Sequence, residues 1–264
     1  MARSAIHCAL VCLAFFLPAD SVSLRSTISF LRSLRFHQTL RVCNAYPSSA
    51  PLGVYKDGVQ LTSEPLPYKA CADFDELVEA GDAMDFKAED VDVGTFTVTE
   101  LPRANAVLLM VIRRHDDETT AAAFDSHVFT ESDGSQVAVI DAYKGPAQAD
   151  VRIQEEMGAM NVSEQLRFGS VVVVDPGLYK VSLNKKGNAT GNTIVAAATL
   201  PAPAPTELVA ESHQFYVILR CGLQGRDGAD YSEELVVFPR SDAQDFANPK
   251  KSWFTALFGW FKTL

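Results

Sequence analysis

The chain offers few groupings of residues that could do covalent chemistry. Asp125-Ser126-His127 contains the three residue types of a hydrolytic triad. A triad acts only when those groups converge in space beside an oxyanion hole, and adjacency in sequence does not supply that. No Gly-x-Ser-x-Gly elbow accompanies Ser126, and the Gly-Asp-Ser start and Asp-x-x-His end of an acetyl-esterase-like transferase are not found as a set. His7 and His37 lie in the leader and the arm behind it. His115 sits in Arg113-Arg114-His115-Asp116-Asp117, which reads as a solvated strand end. Glu155-Glu156 and Glu233-Glu234 read as loop or edge acids rather than a glycosidase pair. Catalysis is therefore not expected, and nothing in the sequence asks for a metal or cofactor.

Three cysteines remain beyond the leader: Cys43, Cys71 and Cys221. None has metal-ligand spacing, and there is no Cys-x-x-Cys. Cys43 lies on the first expected strand and Cys71 on a strand soon after it. Secretion permits a disulfide, so Cys43 and Cys71 are the expected pair, with Cys221 free and buried at the end of an apolar strand.

The elements that must position these residues come in two copies. Leu40–Gly58 (LRVCNAYPSSAPLGVYKDG) is a strand, a Pro/Ser turn, a second strand and a Lys-Asp-Gly turn. A degenerate copy begins at Val137, where Asp141-Ala142-Tyr143 matches Asn44-Ala45-Tyr46 at a distance of 97 residues. Glu64-Pro65-Leu66-Pro67-Tyr68 aligns with Glu164-Gln165-Leu166-Arg167-Phe168, and the apolar run Ala106–Ile112 with Gln214–Arg220. His127-Val128-Phe129 aligns with Val236-Val237-Phe238. A period near one hundred residues is too long for a solenoid and reads as two small β domains.

Strands are expected over Leu40–Ala45, Val54–Lys56, Val59–Leu61, Tyr68–Phe74, Phe86–Ala88, Thr95–Leu101, Asn105–Arg113 and Ser126–Thr130. Phe74–Ala83 is open between a turn of helix and an acidic loop. The second copy gives Val137–Ala142, Ala149–Ile153, Leu166–Val174, Leu178–Leu183, Thr193–Leu200, Gln214–Arg220 and Glu234–Phe238. Asp57-Gly58 supplies a hairpin turn, and Asp175-Pro176-Gly177 a turn between strands. Asn105–Arg113 is apolar without alternation, as a strand buried on both faces must be. The expected fold is all-β: two tandem β-sandwich domains, 40–132 and 136–242, dividing near Ser132–Gln136.

The ends have a different character. Met1–Ser23 has the form of a secretory signal peptide: Arg3, a ten-residue apolar stretch Cys8–Leu17, Pro18, and small residues at Ser21-Val22-Ser23. Residues 24–39 form a basic arm, open between a mobile segment and a plastid transit sequence. At 250–264, KKSWFTALFGWFKTL places Trp253, Leu257, Trp260 and Phe261 on one helical face, widened by Phe254 and Phe258. A short amphipathic helix is expected there, either docking on a membrane interface or partner groove or capping its own domain. Asn161-Val162-Ser163 and Asn188-Ala189-Thr190 are N-glycosylation sequons in expected loops.

Of the 264 residues, 47% are hydrophobic, enough for packed cores, and the formal net charge is −10. Residues 1–41 carry five Arg and one Asp, and 250–264 carry three Lys and no acid. The body between them is thus more acidic than the whole, which disfavours nucleic acid and leaves neutral polymers or cationic partners.

The strand-turn-strand signature, with Val54-Tyr55-Lys56-Asp57-Gly58, the Asp175-Pro176-Gly177-Leu178-Tyr179 turn and the closing Phe215-Tyr216-Val217 and Leu235-Val236-Val237-Phe238-Pro239, resembles the AlgF family, periplasmic accessory subunits of alginate O-acetylation. It also resembles a broader group of secreted tandem β-sandwich domains. The resemblance covers about Leu40 to Asp242. The acidic insert Asp73–Asp92, the basic arm and the aromatic tail depart from the pattern. The resemblance implies a periplasmic or extracellular accessory protein of alginate-like polysaccharide biosynthesis. Its implied partner is a membrane-bound O-acyltransferase or another cell-envelope complex, with polysaccharide as a further ligand. The alternative is a secreted or lumenal binding module held at a membrane or partner by its tail.

Overall fold

The computed structural model describes residues 36–75, 78–156, 162–185, 203–225 and 230–240. The signal peptide, residues 24–35 of the arm, Asn161, Asn188, the strand expected over Thr193–Leu200 and the aromatic tail lie outside the described residues. All described structure belongs to one compact unit. It is all-β, and no helix occurs among the described residues.

Among the described residues sixteen strands form four sheets of four. In the first copy they are β1 Gln38–Ala45, β2 Leu52–Lys56, β3 Val59–Gln60, β4 Cys71–Phe74, β5 Ala83–Ala88, β6 Val91–Thr97, β7 Ala106–Arg114 and β8 Ala122–Thr130. In the second they are β9 Ser135–Asp141, β10 Ala149–Glu155, β11 Ser163–Leu166, β12 Ser170–Val174, β13 Gly177–Lys185, β14 Thr206–Ala210, β15 Phe215–Gln224 and β16 Asp230–Phe238. Sheet I has the order β4-β1-β7-β8 and sheet II β3-β2-β5-β6. Sheet III has the order β12-β9-β15-β16 and sheet IV β11-β10-β13-β14. Adding eight to each strand number of the first pair of sheets gives the second pair. The repeat seen in the residues is therefore a repeat of topology, and no sheet crosses residues 131–134.

The register follows the sequence alignment closely. The parallel pair β1–β7 sets Thr39 beside Val107, and the parallel pair β9–β15 sets Gln136 beside Phe215, the aligned positions. The closing strands depart from it. Phe129 pairs with Val107, but Phe238 pairs with Val217 rather than Phe215. A slip of two residues keeps every side chain on its original face, so the pattern does not resist it.

Alternation explains the layering. In sheet I, Leu40, Val42, Leu108, Met110 and Ile112 face sheet II, where Leu52, Val54, Met84 and Phe86 meet them. In sheet III, Val137, Val139, Tyr216 and Ile218 meet Val151, Ile153, Val181 and Leu183 of sheet IV. The opposite faces of sheets I and III are apolar too. Cys43, Ala45, Leu109, Val111 and Phe129 pack on Ala138, Ile140, Val217, Leu219 and Cys221. The sheets thus stack in the order II, I, III, IV. Central strands buried on both faces read as unbroken apolar runs; outer strands such as β10 alternate, with Val151 and Ile153 inward and Arg152 and Gln154 outward. Burial of these faces, at about 25 cal/mol per Å² of apolar surface, is the main stabilising term.

Several boundaries differ from expectation. Leu166–Val174 is two strands, not one. Gly169, at φ +72, turns the chain between β11 in sheet IV and β12 in sheet III. Asp175-Pro176 is the expected turn between strands, and it crosses from sheet III to sheet IV. Thr95–Leu101 shifts back to Val91–Thr97, Tyr68–Phe74 shortens to Cys71–Phe74, and the short strand β14 was not expected. The Asp57-Gly58 turn is as expected, with φ of 49° and 80° at its two central residues.

Candidate functional site

The four central strands β1, β7, β9 and β15 are the parallel pairs of sheets I and III, and the polar groups at their carboxyl ends lie together. Asn44-Ala45-Tyr46 ends β1 and Asp141-Ala142-Tyr143 ends β9. Both copies use the same local device. Asn44 Oδ1 accepts a hydrogen bond from the Tyr46 amide at 3.0 Å, and Asp141 Oδ1 accepts one from the Tyr143 amide at 3.1 Å. Such a side-chain turn releases the chain from the ladder and aims the tyrosine back over the strand ends. An arginine then covers each ring. Arg114 lies 5.7 Å from the Tyr46 ring centre, and Arg220 lies 4.3 Å from that of Tyr143.

Arg220 is the most heavily engaged side chain of the cluster. It donates to Asp141 at 3.0 Å, to Glu233 at 2.8 Å and to the Ala147 carbonyl at 2.7 Å. Lys185 adds a second cation to Glu233 at 3.1 Å. Burial raises the Asp141 carboxyl above its ordinary range, and the nearby Arg220 charge only partly offsets this. Burial also lowers the Lys144 ammonium, helped by the positive charge of Arg113. Gly222 makes the cluster sterically possible. It sits at φ +136 in the bulge of β15, and a Cβ there would lie 2.9 Å from the Glu233 Cα.

The same region joins the two copies. The Cys43–Cys71 disulfide is present between cross-strand partners of β1 and β4, with Cα atoms 4.0 Å apart. It faces sheet III, beside the free and buried Cys221, whose thiol burial pushes up to about 12. Tyr68 packs edge-on against Tyr231 at 5.5 Å, and Lys69 pairs with Glu234. Burial raises the Tyr68 hydroxyl as well. At the opposite ends of the strands Arg41 holds Asp73 in a bidentate pair at 2.7 and 2.8 Å and donates to the Phe215 carbonyl. Its guanidinium lies 4.9 Å from the Phe238 ring centre.

Asp125, Ser126 and His127 are not assembled as a triad. They are consecutive on β8, so Ser126 faces away from the other two. Asp125 is held by Arg113 at 2.5 and 3.2 Å, and the His127 ring packs on Phe129 at 4.9 Å. Burial lowers the His127 imidazole. His115 is exposed, as expected of a strand end, and bonds Asp116 at 2.9 Å. That bond, with the Thr119 amide, holds the Asp116 carboxyl well below its usual range. Glu233 and Glu234 lie on edge strand β16 and point to opposite faces, one toward Arg220 and one toward Lys69. No group of three or more His, Cys, Asp or Glu able to hold a metal ion occurs among the described residues.

Arg41, Arg114 and Arg220 were not read as site residues from the sequence. The available signal was a single arginine inside or ending an apolar strand, which cannot be buried without partners. Together the fold and this cluster define a class: an all-β protein of four stacked sheets, doubled internally, whose two copies share an apolar core and the Lys69–Glu234 pair. Comparison with protein-family models returns no match, and comparison with curated proteins returns none either.

Proposed function

We propose that this chain is a non-catalytic accessory or adaptor protein of exported, alginate-like polysaccharide biosynthesis and O-acetylation. In this reading, two tandem β-sandwich domains follow a signal peptide, and the aromatic tail with Trp253, Phe254, Leu257, Phe258, Trp260 and Phe261 docks on a membrane-bound O-acyltransferase or another cell-envelope complex. The observation that carries it is the use made of the reactive side chains. Asp125 is taken up by Arg113 within the first copy, Glu233 by Arg220 within the second, and Glu234 by Lys69 across the two. The Cys43–Cys71 disulfide is consistent with an oxidising compartment, periplasmic or extracellular.

Affinity capture of the full chain from its own membranes tests this. Co-elution of a membrane-bound O-acyltransferase is the expected result. Acetyl transfer by the purified chain from an activated donor overturns the non-catalytic reading. A second reading, a secreted or lumenal binding module anchored by the tail, is favoured by the concentration of both tryptophans within 253–260. Membrane retention without an acyltransferase partner selects it.

A further inference from the structure

Among the described residues four sheets of four leave eight edge strands, and the edges are not alike. An edge presents unpaired N–H and C=O groups and is a template for another strand. Six edges of four residues or more carry an acid: Asp73 on β4, Asp92 on β6, Asp125 on β8, Glu164 on β11, Glu207 on β14, and Glu233 and Glu234 on β16. β3 has only two residues. The exception is β12, Ser170-Val171-Val172-Val173-Val174, which has no charge and, among the described residues, pairs only with β9. Val173 is 65% exposed.

We infer that two copies of this chain join edge to edge through β12, antiparallel across a twofold axis. Such a contact is self-complementary, so the partner need only repeat the same strand. Each of the other long edges instead carries a charged side chain, a feature that blunts an edge against pairing with another chain. The flanks of β12 complete the match. Arg167 lies three residues before the strand and Asp175 directly after it, and both are exposed. Antiparallel pairing brings Asp175 of one copy to the Arg167 end of the other, at both ends of the seam. Sheet III then continues as eight strands, and the valine edge leaves water in both copies.

Sedimentation velocity on the full chain, over about three decades of concentration up to about 0.1 mM, is the test. The expected result is a monomer–dimer equilibrium. Val173→Lys should weaken it at least about tenfold, equal to 1.4 kcal/mol, while Val173→Thr, which keeps a β-branched side chain, retains it. Because Val173 is exposed, the circular dichroism of both variants should match the parent. A mutation-free readout accompanies these variants. Amide exchange in residues 170–174 should slow at high concentration, with no such change at β4, β8 or β16. A chain that stays monomeric throughout, a dimer indifferent to Val173→Lys, or protection at another edge instead of β12 overturns the inference.

Discussion

Phe129→Ala would show whether the two copies are one cooperative structure. Phe129 is fully buried on β8, and its ring stacks on Phe215 of the second copy with centres 5.3 Å apart. Truncating a buried phenylalanine costs about 3–5 kcal/mol. The upper part of that range is expected, since an aromatic pair is lost as well. Against a total stability of about 5–15 kcal/mol this is a large fraction. At about 2–4 °C per kcal/mol for a unit of this size, a loss of about 4–5 kcal/mol should lower the melting midpoint by about 8–20 °C. The decisive measurement is residue-resolved amide exchange. Phe129 touches sheet III and lies far from sheet IV in the stack, yet protection should fall in β10 and β13 of sheet IV as much as in β2 and β5 of sheet II. If protection falls only in sheets I and II, the shared core between sheets I and III does not couple the copies, and the layered reading of stability is wrong.

Two further substitutions probe the polar cluster and the crosslink. Replacing Cys43 and Cys71 by alanine opens a 28-residue loop, and the chain-entropy model puts the loss at about 3–4 kcal/mol; an unchanged urea midpoint under non-reducing conditions would contradict it. For Asp141→Asn the sign follows from the raised carboxyl. A folded pKa above the unfolded one stabilises fully below the unfolded value, about 3.9, and that contribution is lost as pH rises through the folded value. The cost of Asp141→Asn should therefore be smaller at neutral pH than near pH 4, as measured by denaturant titration at the two pH values, and a larger cost at neutral pH would refute burial as the dominant influence on Asp141.

Much of this protein was legible in the residues alone. A period-2 pattern reports which faces of a strand leave water, so Asn105–Arg113 announced a strand buried on both sides and β10 a strand buried on one. Asp57-Gly58 required a backbone that only a tight hairpin uses. The repeated Asn/Asp-Ala-Tyr motif marked equivalent strand ends, and Cys43 and Cys71 proved to be register partners. Local sequence could do this because faces, turns and neighbouring strands are set by contacts of short range.

What it could not decide is which strand lies beside which. Leu166–Val174 read as one strand, yet Gly169 sends β11 and β12 into different sheets. The pairing of β1 with β7, the apposition of sheets I and III, and the meeting of Arg220 with Asp141 across 79 residues all depend on long-range packing. An apolar face specifies that it must be covered but not by what. Only the assembled stack, in which sheets I and III find each other's second apolar face, settles that choice, and with it the place where the buried arginines find their acids.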